Sequence, residues 1–260
     1  MERALTYAPG RLYHDSACIG DPSTPPTMST ADQSRPTIEQ PDEFPAEPSQ
    51  IVLNGPAGKL LGMTEVPDPD CAVNATAIVC HPTGEHGTMH NKVTHIIERS
   101  FRELGARTVR FDFRGAGGSE GTFDSDGLGE SEDLLAVAAW VRSVRPHDEL
   151  WLGGNGFGAY VVVRACEKLN PTQIVTVSPP LKRFDFDLLT LPEGSWMLIQ
   201  GDDEDEVSPE DVTKWVEGLA QPPQVLIMED TDQTFRRRLM DLRGAIKNGI
   251  KRQQRDETDS

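Results

Sequence analysis

Leu150-Trp151-Leu152-Gly153-Gly154-Asn155-Gly156-Phe157-Gly158-Ala159 passes from an apolar run, through alternating glycines, into a second apolar stretch. Leu150–Gly153 reads as a short buried strand and Ala159–Leu169 as a helix, with the glycines forming the turn between them. The same order repeats on either side. Upstream, Ile51–Leu53 and Leu60–Val66 form an opening hairpin through Asn54-Gly55 and Gly58. Thr76–Cys80 is a fully apolar strand, and Val93, Ile96, Ile97, Phe101 and Leu104 keep helical spacing up to Gly105. Thr108–Phe113 is a strand, followed by a helix through Leu134, Leu135, Ala138, Val141 and Val144 that Pro146 closes. Downstream come strands at Ile174–Val177, Trp196–Gln200 and Val225–Met228, a helix at Pro209–Leu219, and a last helix lined by Leu239, Leu242, Ile246 and Ile250. Repeated βαβ order implies an α/β fold: a mostly parallel sheet with helices on both faces, over residues 50–250.

The flanks differ. Residues 1–49 hold eight of the twenty prolines and no apolar periodicity, so they are expected to be a disordered tail. Residues 251–260 are polar and are expected to fray. The 260 residues carry 25 Lys+Arg against 42 Asp+Glu, a formal charge of −17. That balance disfavours nucleic acid and anionic membrane surfaces as partners. No apolar run approaches the roughly 18–20 residues that span a bilayer, and the N-terminus lacks the order of a signal peptide. Cys18, Cys71, Cys80 and Cys166 have neither zinc spacing nor the look of a disulfide framework. These features predict a reduced cytoplasmic protein without metal or cofactor.

In a sheet of this kind function sits at the carboxyl ends of the strands. The loops there are His81-Pro82-Thr83-Gly84-Glu85-His86-Gly87-Thr88-Met89, Arg114-Gly115-Ala116-Gly117-Gly118-Ser119-Glu120-Gly121, Gly153 to Gly158, Gly201 to Val207, and Glu229 to Gln233. Their order resembles the α/β-hydrolase superfamily, specifically its short lidless bacterial hydrolases of the HPHP…GGTM…NK type. His81-Pro82, Gly87-Thr88-Met89 and Asn91-Lys92 match the first block, one residue short. Phe111-Asp112-Phe113-Arg114-Gly115 with Ser119-Glu120-Gly121 match the second, and Ser178-Pro179-Pro180 with Arg183-Phe184-Asp185-Phe186 a third. The link from Pro180 to Trp196 is too short for a cap domain, which implies an open site.

The resemblance implies a triad in the chain order Ser, Asp/Glu, His, with the serine in G-x-S-x-G. In Gly154-Asn155-Gly156-Phe157-Gly158 the nucleophile position is Gly156, and in the turn after the last strand the base position is Gln233. The six histidines are 14, 81, 86, 90, 95 and 147, so no shift of alignment supplies a base in that order. Asp205 matches the acid best, with Asp202 and Asp203 as alternatives. Glycine relieves elbow strain and keeps the turn. The implied protein is a pseudoenzyme that binds a partner or small ligand at the strand-end mouth, with His81, His86, Gly87, Thr88, Asn155 and Phe157 as ligand contacts.

Other readings carry less. Gly154, Gly156 and Ala159 satisfy G-x-G-x-x-A, but the next strand ends Val177-Ser178-Pro179 without the acid a dinucleotide site needs. A Ser119–His86 pair, or a residual esterase-like activity, is the enzymatic alternative. Asp124-Ser125-Asp126-Gly127 lacks the later ligands of a calcium loop. The carboxylates Glu120, Asp124, Asp126, Asp202 to Glu206, Glu229, Asp230 and Asp232 are expected to converge on one rim, which suits a basic protein or a cationic small ligand. Arg236-Arg237-Arg238, beside Gln233, is expected either to offset part of that charge or simply to cap the last helix region.

Overall fold

The computed structural model describes residues 5–7, 35–82 and 87–258. Among these residues ten strands form one sheet: β1 (Leu5–Tyr7), β2 (Thr37–Glu39), β3 (Ser49–Gly55), β4 (Gly58–Glu65), β5 (Ala75–Cys80), β6 (Arg107–Phe111), β7 (Glu149–Asn155), β8 (Gln173–Val177), β9 (Ser195–Gly201) and β10 (Gln224–Met228). Their spatial order is β1-β10-β9-β8-β7-β5-β6-β4-β3-β2. The hairpin strands β3 and β4 pair antiparallel, as do β4 and β6, and every other pairing is parallel.

Among the described residues five helices cover the sheet: α1 (Lys92–Glu103), α2 (Leu128–Val144), α3 (Phe157–Leu169), α4 (Pro209–Glu217) and α5 (Leu239–Thr258). Alternation along the strands divides the core in two. In β5, Ile78 and Cys80 pack on the α2–α3 face, while Ala75, Ala77 and Val79 pack under α1 and α5. α4 joins the first face through Val212 and Trp215. Local chemistry sets the helix starts. Asn91 caps α1 through the amides of Val93 and Thr94, and Ser208 forms a reciprocal capping box with Asp211 at α4.

A buried ionic group ties α1 to the sheet. Glu98 accepts from Thr108 Oγ1 at 2.9 Å and Arg102 Nε at 3.0 Å, and Arg110 Nε lies 3.9 Å away. Burial opposes ionisation of Glu98, but Arg110 and Arg102 hold its pKa below the usual carboxylate range. Arg110 Nη1 in turn donates to Met89 O at 2.9 Å, anchoring the loop that follows β5.

Both expected tails need correction. Residues 37–39 pair with β3, Trp140 Nε1 donates to Pro41 O at 2.8 Å, and Phe44 stacks on Trp140 at 5.8 Å. The folded unit thus includes at least residues 35–49; residues 1–4 and 8–34 lie outside the described residues. At the other end α5 continues to Thr258, beyond the boundary placed at 250. Cys80 and Cys166 are free and buried. Cys71 is disulfide-bonded, where the cysteine spacing had pointed to a reduced chain. Among the described residues no helix is long and apolar enough to cross a membrane. The segment 178–194 contains one 3-10 turn, Phe186–Leu188, and no cap domain.

Phe44→Ala should cost about 1–2 kcal/mol in denaturant unfolding, roughly half the cost of truncating a fully buried phenylalanine. Unchanged stability would show that residues 35–48 ride passively on the edge of the sheet.

Candidate functional site

The turn from β7 into α3 is built by close backbone approach. A Cβ at Gly158 would lie 2.4 Å from Cys80 O and 2.6 Å from His81 O, and one at Gly154 would lie 2.4 Å from Gly158 O. Neither position has room for a side chain. Gly156, between them, differs. Its φ of +55° and ψ of −121° suit glycine, yet a Cβ there would meet only Pro82, at 3.2 Å and beyond. Gly156 N donates to Val177 O at 2.9 Å, and Gly156 O accepts from Ala159 N at 2.9 Å. Gly156 caps α3 with no side-chain hydrogen bond.

The expected ligand contacts serve mostly as framework. His81 is fully buried. Its Nε2 accepts from Phe113 N at 3.1 Å, its Nδ1 faces Pro82 O at 3.0 Å, and burial pulls its pKa down. Those partners fix a neutral ring with Nδ1–H, and neither nitrogen is left for a ligand. Phe157 is buried against Phe113, Phe123, Tyr160 and Phe184. Asn155 is buried and donates to Asn91 Oδ1 at 3.4 Å, joining the elbow to the α1 cap. Gly87 is buried. Thr88 is half-buried, its hydroxyl accepting from His90 N at 3.3 Å. His86 lies outside the described residues. Among the five described candidates Thr88 alone is left with partial exposure.

The other nucleophile candidates are also occupied. Ser119 Oγ donates to Asp112 O at 2.6 Å and accepts from Leu61 N at 2.9 Å. Burial, with Asp133 nearby, pushes the Cys80 thiol far above the usual thiol range. Buried Asp112 accepts from Met89 N at 2.7 Å and Gly118 N at 3.3 Å, holding two site loops together. Among the described residues no group of three or more His, Cys, Asp or Glu is placed to hold a metal ion.

The half-buried carboxylate of this loop is not the one matched to the acid position from the sequence. Asp205 is exposed, and so are Asp202 and Asp203. Glu204 is the half-buried carboxylate. It accepts from Ser178 Oγ at 2.6 Å and Gly201 N at 2.9 Å. Ser178 adjoins Val177, the partner of Gly156 N, and itself adopts φ +48°, a strained conformation for serine. Burial raises the Glu204 pKa, and Asp232, from the turn after β10, adds to the rise. Sequence reading passed over Glu204 because it sits inside five consecutive acids; its place between Gly201 and Val207 was the available signal. Gln233 is exposed in that same β10 turn.

The carboxylates do not share one rim. Glu120 Oε2 accepts from Lys59 N at 2.8 Å, and Asp124 accepts from Asp126 N and Gly129 N at the start of α2. The convergent acids are those after β9 and β10.

This geometry defines an α/β-hydrolase-fold protein with an uncapped strand–turn–helix elbow. No protein-family model matches the chain. It is 31% identical over 178 residues to an uncharacterized protein of Rickettsia prowazekii, covering 66% of this chain and 73% of that protein. A lidless α/β serine hydrolase from Xanthomonas campestris superposes with a TM-score of 0.77 and 48% identity, covering 81% of this chain and 96% of that one. An α/β serine hydrolase homologue from Coxiella burnetii gives a TM-score of 0.76 and 34% identity, covering 80% and 100%. The chain belongs to the α/β serine hydrolase family, among its members without a lid.

Two measurements test this geometry. Gly158→Ala should lower unfolding stability by more than about 2 kcal/mol, because backbone must move, whereas Gly156→Ala should cost about 1 kcal/mol of φ strain. Equal costs would mean that the elbow is packed differently. The raised pKa of Glu204 means that the folded state holds its proton more tightly than the unfolded chain. The ionisation penalty is therefore absent at low pH and grows as pH rises above the ordinary glutamate value. Relative to wild type, Glu204→Gln should gain stability between about pH 4 and pH 7. A pH-independent difference would show that Glu204 ionises without penalty.

Proposed function

We propose that this chain is a hydrolase-fold binding protein that has lost triad chemistry and takes a partner or small ligand at the strand-end mouth. The observation that supports this most directly is glycine at the elbow. Gly156 provides no attacking atom, while Gly154 and Gly158 keep the turn that would present one. The base is missing as well: Gln233 occupies the turn after β10, and the last histidine in the chain is His147. In a serine protease, loss of such a group costs on the order of 10⁶-fold. The carboxylates after β9 and β10 favour a ligand with a cationic group, on a basic protein or a small molecule.

One contact favours a second reading, a residual hydrolase. Ser178 Oγ donates to Glu204, a carboxyl group whose raised pKa suits proton transfer. Ser178 is 9% exposed, which leaves it little access to substrate.

The purified protein should hydrolyse p-nitrophenyl esters no faster than buffer. Gly156→Ser should remain inactive, because a serine hydroxyl needs a base to take its proton. Gly156→Ser with Gln233→His supplies both groups and should show weak turnover at most. Wild-type turnover that disappears in Ser178→Ala would establish the second reading. Strong turnover from Gly156→Ser alone would show that another base serves the site.

A further inference from the structure

Glu98, on the buried face of α1, uses its two oxygens unequally. Oε1 accepts from Thr108 Oγ1 and Arg102 Nε. Oε2 is buried and has no hydrogen-bond partner among the described residues. Two nitrogens flank it just beyond bonding distance, His95 Nδ1 at 3.5 Å and Arg110 Nε at 3.9 Å. Arg110 Nε is itself buried without a partner. One buried acceptor is thus shared between two nitrogens and committed to neither.

His95 is the member of this group that solvent reaches. Its side chain is 37% exposed, against 0% for Glu98 and 2% for Arg110. Among the described residues the charged groups around it are Glu98, Arg99 and Arg102 on α1 and Arg110 on β6. Glu65 on β4 lies 3.8 Å from Arg110 Nη2 and also takes Arg35 at 2.6 Å. From α5, Arg243 and Lys247 bond Glu103 instead. Two carboxylates, Glu65 and Glu98, therefore face three guanidinium groups, Arg35, Arg102 and Arg110. A further positive charge is unwelcome there. Burial holds the His95 pKa below the ordinary histidine value; Glu98 opposes that shift, and Arg110, Arg102 and Arg99 add to it.

Arg110 connects this group to the mouth. Its Nη1 donates to Met89 O at 2.9 Å, and Met89 N donates to Asp112 Oδ1 at 2.7 Å, so the loop after β5 is tethered at one residue from both sides. We propose that His95 is a proton-operated switch on that loop: neutral, it leaves Glu98 Oε2 to Arg110; protonated, it takes that oxygen and repels Arg110, loosening the tether on Met89. One proton from solvent enters the imidazole, and no other covalent bond changes. An imidazolium carries hydrogen on both nitrogens, so Nδ1 then always presents a donor to Oε2. Arg110 is left with Glu65 as its nearby counter-charge, and Glu65 is already engaged by Arg35. The working range lies below about pH 6.5, the ordinary histidine value. The inference concerns the loop alone and holds whether the mouth binds a ligand or turns one over.

The test is hydrogen exchange of the full chain, read by NMR at the Met89 amide. Rates are expressed as protection factors, which removes the intrinsic pH dependence of exchange. Protection in the wild type should fall about tenfold from about pH 7.5 to about pH 5.5, the loss of one charge-assisted contact. In His95→Gln it should stay flat. His95→Lys puts a permanent positive charge at this half-exposed position and should show the low protection already at the upper pH. His90→Gln, at the exposed histidine of the same loop, should keep the wild-type profile. The Ile78 amide, on β5 between β6 and β7, reports global opening and should not follow Met89. A flat wild-type profile overturns the proposal, as does a fall that persists in His95→Gln or one matched at Ile78. If His95→Lys does not fold, the wild-type and His95→Gln profiles decide.

Discussion

The contact on which the site depends is backbone against backbone. Residue 158 in the first turn of α3 lies so close to the end of β5 that even one methyl group would strike Cys80 O at 2.4 Å. That approach sets how deeply α3 seats on the sheet. Its depth carries Phe157 into the ring group with Phe113, Phe123 and Phe184, and brings the α3 N-terminus to the carboxyl end of β7. His81 then fixes the neighbouring loop, bonding Phe113 N from one nitrogen and Pro82 O from the other. Close packing of this kind tolerates few changes, because interiors have little free volume to absorb displaced atoms.

Position 156 is separate from that packing. A side chain there would meet only Pro82, so its identity is coupled to backbone conformation and hardly at all to the core. A serine held at φ near +55° bears strain of order 1–3 kcal/mol, which a hydrolase tolerates in return for an exposed nucleophile. Glycine bears almost none. The elbow can thus keep its shape and lose its chemistry in one step, with the glycines on either side maintaining the turn. Scaffold and reactivity are independent quantities in this fold, and a family fold alone does not decide activity.

The parts legible in the sequence were those governed by short-range periodicity. Apolar strands such as Ala75–Cys80 and the glycine spacing 154–156–158 gave the layers, the order and the elbow within a residue or two. What was not legible depended on distance in the chain. Residues 35–49 have a disordered composition, yet Pro41 and Phe44 are held by Trp140, about a hundred residues away, and no local pattern reports such a contact. Glu204 was hidden for a different reason. In a run of five acids, every residue offers the same charge, and only the turn geometry with Ser178 shows which side chain faces inward. His81 misled through chemical type: imidazole is versatile, but a fully buried ring with both nitrogens bonded is a brace.

The electrostatics follow the same division between global and local. A formal charge of −17 describes how the molecule looks from afar, and it favours cations during approach. At physiological salt that field decays over about 8 Å, so within the mouth the nearest groups decide. Around the β10 turn those groups are balanced in sign: Asp203, Asp230 and Asp232 against Arg236, Arg237 and Arg238. The ordering of that cluster is covalent in origin, since three consecutive arginines preceding a helix must emerge near its positive end. Arg238 is then locked by Asp241 one helical turn later. That pairing orients the guanidinium, whose Nη2 is buried without a hydrogen-bond partner among the described residues.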